Sequence, residues 1–128
     1  MKKLFNLISL QEICTEHLKL NKKMTLEIAD NLYSNSIISY PYTKEESLPE
    51  SIKSEVWVML NKLIPENKLK NIEDVTCFKN NESMDHYAII PWGVNYENRK
   101  IINELRGHEK DVYNIILERF ISVFTENT

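Results

Sequence analysis

At 128 residues, with 42% hydrophobic and 27% charged side chains, the chain can bury roughly two thirds of its unfolded surface around one core, so intrinsic disorder is not expected outside the last few residues from Thr125. Its formal charge of -3 removes a global attraction to phosphate backbones, so nucleic acid is not the expected partner. No stretch approaches the roughly 18 apolar residues of a membrane span, and the apolar run after Lys2 and Lys3 is interrupted by Asn6 and Ser9; neither membrane nor export is expected, and the location is read as cytoplasmic.

Ser9 followed by Glu12 spells a capping box, in which hydroxyl and carboxylate each satisfy an orphan amide at a helix start. The first helix is predicted over residues 10–20, with Leu10, Ile13, Cys14, His17 and Leu18 on one face. Thr25 caps a second helix ending near Asn35, in which Met24, Ile28, Leu32 and Tyr33 recur at helical spacing. Residues 24–38 resemble the middle of a helix-turn-helix, with Ala29 inside its first helix and Ser36 opening the recognition helix. That resemblance implies a small DNA-binding regulator, although the turn lacks its glycine and no lysine or arginine lies between Ser34 and Thr43 to reach bases. Residues 39–46, around Pro41, read as an exposed loop.

Ser47, Leu48, Pro49 and Glu50 repeat a start signal, since proline is tolerated in a first turn. A third helix follows to Ile64, with Ile52, Val56, Met59, Leu60 and Leu63 as its buried stripe, Trp57 beside it and Pro65 as its stop. The pattern then changes to two short apolar runs, 75–78 and 86–90, around an Asn80 and Asn81 turn, which predicts an antiparallel hairpin. A hairpin alone is marginal in water, so residues 4–8 are the candidate third strand. A fourth helix is expected over 95–106, closed by Gly107, and a fifth over 108–124 with Val112, Ile116, Phe120 and Phe124 at helical spacing. The fold class is therefore α+β: mainly helical, about five helices, with a small antiparallel β-hairpin or three-stranded sheet, in one domain over residues 1–128.

Chemistry is sparse in the pattern. Gly93 and Gly107 are the only glycines, too few for a phosphate loop, and no cofactor is expected. Cys14 and Cys77 lack ligand spacing, and the partner of His108 that a zinc helix would need is Val112, so no metal site is expected. His86, beside Asp85, is weighed as an acid-base group against a half-buried strand position, and His17 as a boundary residue. A small enzyme using such a histidine is the alternative reading; the main expectation is that the chain is not an enzyme. Tyr40, Tyr42, Trp92 and Tyr96 fall in or beside predicted loops with Glu45, Glu46, Glu50, Glu82 and Asp85. Rigid aromatics among carboxylates suit a basic protein partner. The expected function is thus a non-catalytic protein-binding inhibitor, such as an immunity protein that neutralises a basic nuclease-type toxin by covering its surface. The oligomeric state is left open.

Overall fold

The structure is a computed structural model of the chain and describes residues 3–71, 74–80, 84–92 and 96–125, the side chains of 96–98 excepted. Helix α1 spans Leu7–Leu18. It begins three residues before the predicted start because Asn6 and Ser9, not Ser9 and Glu12, form the capping box. Asn6 Oδ1 accepts the Ser9 N–H at 2.9 Å, and Ser9 Oγ accepts the Asn6 N–H at 3.1 Å. Lys19 closes the helix in the left-handed region, at φ 59°. Helix α2, Lys22–Ser34, likewise starts early: Asn21 Oδ1 accepts the Met24 N–H at 2.8 Å. Thr25 is a buried residue inside that helix, its hydroxyl donating to the Asn21 carbonyl.

No recognition helix follows α2. The chain turns at Asn35 and Ser36, the latter at φ 61°, and then runs extended, with Ile37, Ile38 and Ser39 buried. Strand β1 is Leu48–Pro49, followed by a 3-10 turn over Glu50–Ile52 and by α3, Lys53–Leu63. Another 3-10 turn, Glu66–Lys68, leads towards β2, Phe78–Lys79. Helices α4, Tyr96–Glu104, and α5, Gly107–Phe124, complete the order. Gly107 sits at φ 58°, where a side chain would be strained, so it allows the tight turn from α4 into α5.

A mainly helical α+β fold with five helices among the described residues is what the structure shows, but its two-stranded sheet is parallel. Leu48 stands opposite Phe78 and Pro49 opposite Lys79. The antiparallel hairpin is therefore a correction; its intended loop at 81–83 lies outside the described residues. The second half of that hairpin finds other partners. Ala88, Ile89, Ile90 and Pro91 are all buried, so the segment is covered on both faces and takes backbone partners from remote parts of the chain. Ile89 bridges Phe5 and Pro91 bridges Ile38, both antiparallel. The Ala88 N–H donates to the Ser47 carbonyl at 3.0 Å.

Two hydrophobic clusters flank this segment. One gathers Leu10 and Cys14 from α1, Ala29 and Leu32 from α2, and Val112, Tyr113 and Ile116 from α5. The other joins Val56, Met59 and Leu60 from α3 to Leu48 and to Phe120, Val123 and Phe124 from α5. Among the described residues, no helix is long and apolar enough to cross a membrane.

Candidate functional site

The segment leaving α2 is fastened to residues 88–92 by an alternating set of bonds. The Ile37 carbonyl accepts the Trp92 N–H at 2.8 Å, and the Ser39 N–H donates to the Ile90 carbonyl at 2.9 Å. The buried Ser39 hydroxyl donates to the Ala88 carbonyl and accepts the Ile90 N–H, each at 2.9 Å. Ser39 and Pro41 are both buried, so the residue between them, Tyr40, is turned to the other face and left half-buried.

Three rings meet Tyr40 there. His86 stacks on it with centroids 4.2 Å apart, Tyr33 meets it edge-on at 5.3 Å, and Tyr42 tilts against it at 5.5 Å. The Tyr42 hydroxyl donates to Asp30 Oδ2 at 2.8 Å, and that bond is the main reason its phenol titrates above the usual value. The cluster opens on a cleft of about 540 Å³, lined among others by Tyr33, Tyr40, Asp85, His86, Tyr87 and Trp92. Tyr87 and Trp92 pack edge to face at 6.2 Å. Burial, followed by the nearby Glu55 and Tyr33, raises the Tyr87 phenol as well.

Of the residues singled out in the sequence, Tyr40, Asp85 and Trp92 line this cleft, and Tyr42 adjoins it through Tyr40. Glu45 and Glu46 line a different cleft with Lys3, and Glu50 is exposed on the turn before α3. Glu82 and the Tyr96 side chain lie outside the described residues. Tyr33, read in the sequence as part of an apolar helix face, is 43% exposed and belongs to the aromatic cluster. His86, read as one side of a hairpin, is exposed and stacked on the central ring. The remaining histidines stand apart: His17 is exposed, and His108 pairs with Asp111 at 3.7 Å on the surface. No group of three or more His, Cys, Asp or Glu side chains able to hold a metal gathers among the described residues.

Comparison with known proteins changes the functional reading. The DNA topoisomerase family model matches residues 1–128. DNA topoisomerase 3 of Staphylococcus haemolyticus (strain JCSC1435) is 28% identical over 130 residues, covering 94% of this chain and 18% of that protein. DNA topoisomerase 1 of Methanothermobacter thermautotrophicus is 36% identical over 134 residues, covering 96% of this chain and 17% of the relative. The fold is similar to that of full-length topoisomerase I from Thermotoga maritima, with a TM-score of 0.70 at 19% identity over 98% of this chain and 20% of that one. The chain thus spans under a fifth of the length of the two curated relatives.

These matches overturn three expectations: an immunity protein or toxin inhibitor, a protein without enzymatic chemistry, and a basic protein partner in place of nucleic acid. The physical reason is one of scale. A net charge of -3 describes only the far field of the chain, whereas contact with DNA depends on the local charges and rings along the strand's path.

Proposed function

The chain belongs to the DNA topoisomerase family, and from that membership we propose that it presents a DNA strand to Tyr40, whose hydroxyl is the nucleophile that opens and reseals the strand. Changing DNA topology requires a phosphodiester bond to be broken and remade. An enzyme can do this without an external energy source if it stores the bond as an ester on its own side chain. In that exchange the Tyr40 hydroxyl gives up its proton, and its oxygen bonds to phosphorus. The bond from phosphorus to one deoxyribose oxygen breaks, and that oxygen leaves as a hydroxyl after taking a proton. Reversal restores the strand and frees Tyr40.

The observation that carries this reading is the setting of Tyr40. Its backbone is fastened on both sides by buried Ser39 and Pro41, and its ring is held by three others at the edge of an open cleft. Fixed geometry of this kind is what an in-line attack needs. Two neighbouring hydroxyls are committed elsewhere: Ser39 to the Ala88 and Ile90 backbone, Tyr42 to Asp30. The contact with His86 is ring to ring, so the imidazole steadies the phenol and leaves its edge free to donate to a phosphate oxygen. Tyr87 and Trp92 offer faces on which unpaired bases can stack, each worth about 1–3 kcal/mol. A cytoplasmic location, where a strand of DNA is within reach, is retained as part of this proposal.

The test is to incubate the 128-residue chain with an end-labelled single-stranded oligonucleotide, quench with denaturant and look for label covalently attached to protein. Tyr40→Phe is expected to abolish the adduct, while Tyr33→Phe and Tyr42→Phe retain it. An adduct that survives Tyr40→Phe would assign the nucleophile elsewhere. Binding of the oligonucleotide with no adduct in the unaltered chain would reduce the role to holding DNA.

A further inference from the structure

The loop that carries Tyr40 continues through residues 44–47 into a second cleft, of about 310 Å³. Four lysines line it: Lys3, Lys44, Lys70 and Lys79. They arrive from four separate stretches: the start of the described chain, the loop before β1, the segment after the second 3-10 turn, and β2 itself. The arrangement is fixed from below. The parallel pair of β1 and β2 brings Lys79 opposite Pro49, and the Lys70 N–H donates to the Phe124 carbonyl at 2.9 Å.

Three carboxylates, Glu45, Glu46 and Asp74, share the cleft. Glu46 lies 3.9 Å from Lys3 Nζ, and Glu45 accepts the Ser47 hydroxyl at 3.3 Å. Among the described residues, no ion pair engages Lys44, Lys70 or Lys79. With Lys3 paired to Glu46, Lys44, Lys70 and Lys79 share the cleft with Glu45 and Asp74, a local excess of one positive charge that an anion can meet.

We propose that this cleft holds the phosphate backbone of the DNA strand whose phosphodiester is attacked at Tyr40, a proposal that rests on the reading of Tyr40 above. The distance fits a continuous strand. Tyr40 and Lys44 are four residues apart, so their backbones lie within about 14 Å of one another, a few nucleotides along an extended strand. Lysine ammonium groups meet phosphates as point charges and carry no base preference. The cleft therefore grips the strand regardless of sequence and keeps the segment beside the break in place while the strand is open.

The experiment is fluorescence anisotropy of a labelled oligothymidylate, titrated with the 128-residue chain over a range of salt concentrations. The unaltered chain is compared with a variant carrying Lys44→Gln, Lys70→Gln and Lys79→Gln together, and with Tyr40→Phe. Glutamine keeps much of each side-chain stem, and matching thermal unfolding of the variants verifies that the fold is intact. Each lysine contact to a single strand contributes about 0.7 to the salt slope, so the triple variant is expected to lose about 2 from it. The same loss is expected on oligoadenylate, and Tyr40→Phe is expected to keep the full slope. A triple variant with the slope of the unaltered chain overturns the lysine cleft but leaves the Tyr40 reading standing. A reduced slope in the triple variant, together with an adduct that persists in Tyr40→Phe, preserves the cleft and overturns the nucleophile. No binding of either oligonucleotide by the unaltered chain overturns both.

Discussion

Ser39 ties the backbone beside Tyr40, the proposed nucleophile, to residues 88–90. Its hydroxyl is buried and bridges Ala88 and Ile90. Ser39→Ala leaves a buried carbonyl and amide without that partner, which is expected to cost about 1–3 kcal/mol in urea unfolding. It is also expected to lower the yield of the covalent adduct; an unchanged yield at reduced stability would show that Tyr40 does not depend on this bridge. The bridge was illegible in the sequence, because its partners stand 49 and 51 residues away. Tyr40 and Trp92 were legible as loop aromatics, but which ring would hold which was not. A second residue-scale prediction concerns alkaline pH. Burial pushes the Cys14 thiol from 9.0 up to about 11, the Cys77 thiol from 9.0 up to about 12 and the Tyr113 phenol from 10.0 up to about 12. The folded state holds these protons more tightly than the unfolded chain, so their contribution is complete below about pH 9. It is lost as pH rises from there to about 12. The urea midpoint is expected to fall across that window, and a flat profile would contradict it.

At the level of elements, helix existence was far more legible than helix ends. Apolar spacing located four of the five helices among the described residues, but α1 and α2 each begin one turn or less before the predicted cap because an asparagine, not a serine or threonine, accepts the first free amide. Asn6→Ala is expected to destabilise the chain by about 1 kcal/mol in denaturant unfolding, and an equal loss from Glu12→Ala would restore the capping box read from sequence. The parallel pair of β1 and β2 was not legible at all. Leu48 and Pro49 read as a helix entrance, since proline suits that position, yet α3 waits until Lys53. Proline also suits a strand position that asks for no N–H donor, and local sequence alone does not separate the two uses. The run 86–90 was expected as one strand of an antiparallel hairpin, but periodicity does not name a partner: its buried part, 88–90, bonds to Phe5, Ser39 and Ser47 in place of an adjacent strand, while His86 is exposed in a bend.

Across the whole molecule, α5 is common to both hydrophobic clusters: Val112, Tyr113 and Ile116 enter one, and Phe120, Val123 and Phe124 the other. We propose on this ground that residues 1–128 behave as one cooperative unit. Phe120 is fully buried, and Phe120→Ala is expected to cost about 3–5 kcal/mol. Calorimetry of that variant is expected to give one transition at a lower temperature, because the loss is transmitted along the helix; two separated transitions would divide the chain. Function was the least legible property at this scale. The aromatic site was partly in view, but the overall charge of -3 says nothing of how charge is distributed locally, and the four lysines that share one cleft come from stretches far apart in the sequence.

The buried segment 88–92 also bears on the order of assembly. Its bonds reach Phe5, Ile37, Ser39 and Ser47, all made earlier in synthesis, and it lies between the two clusters. Until Ile90 has emerged, those earlier stretches have no central strand to close upon, and the local helices form without a shared interior. Such non-local closure slows the crossing of the folding barrier. Ile37, Ile38 and Leu48, all buried in the folded chain, therefore await their cover until this late segment arrives.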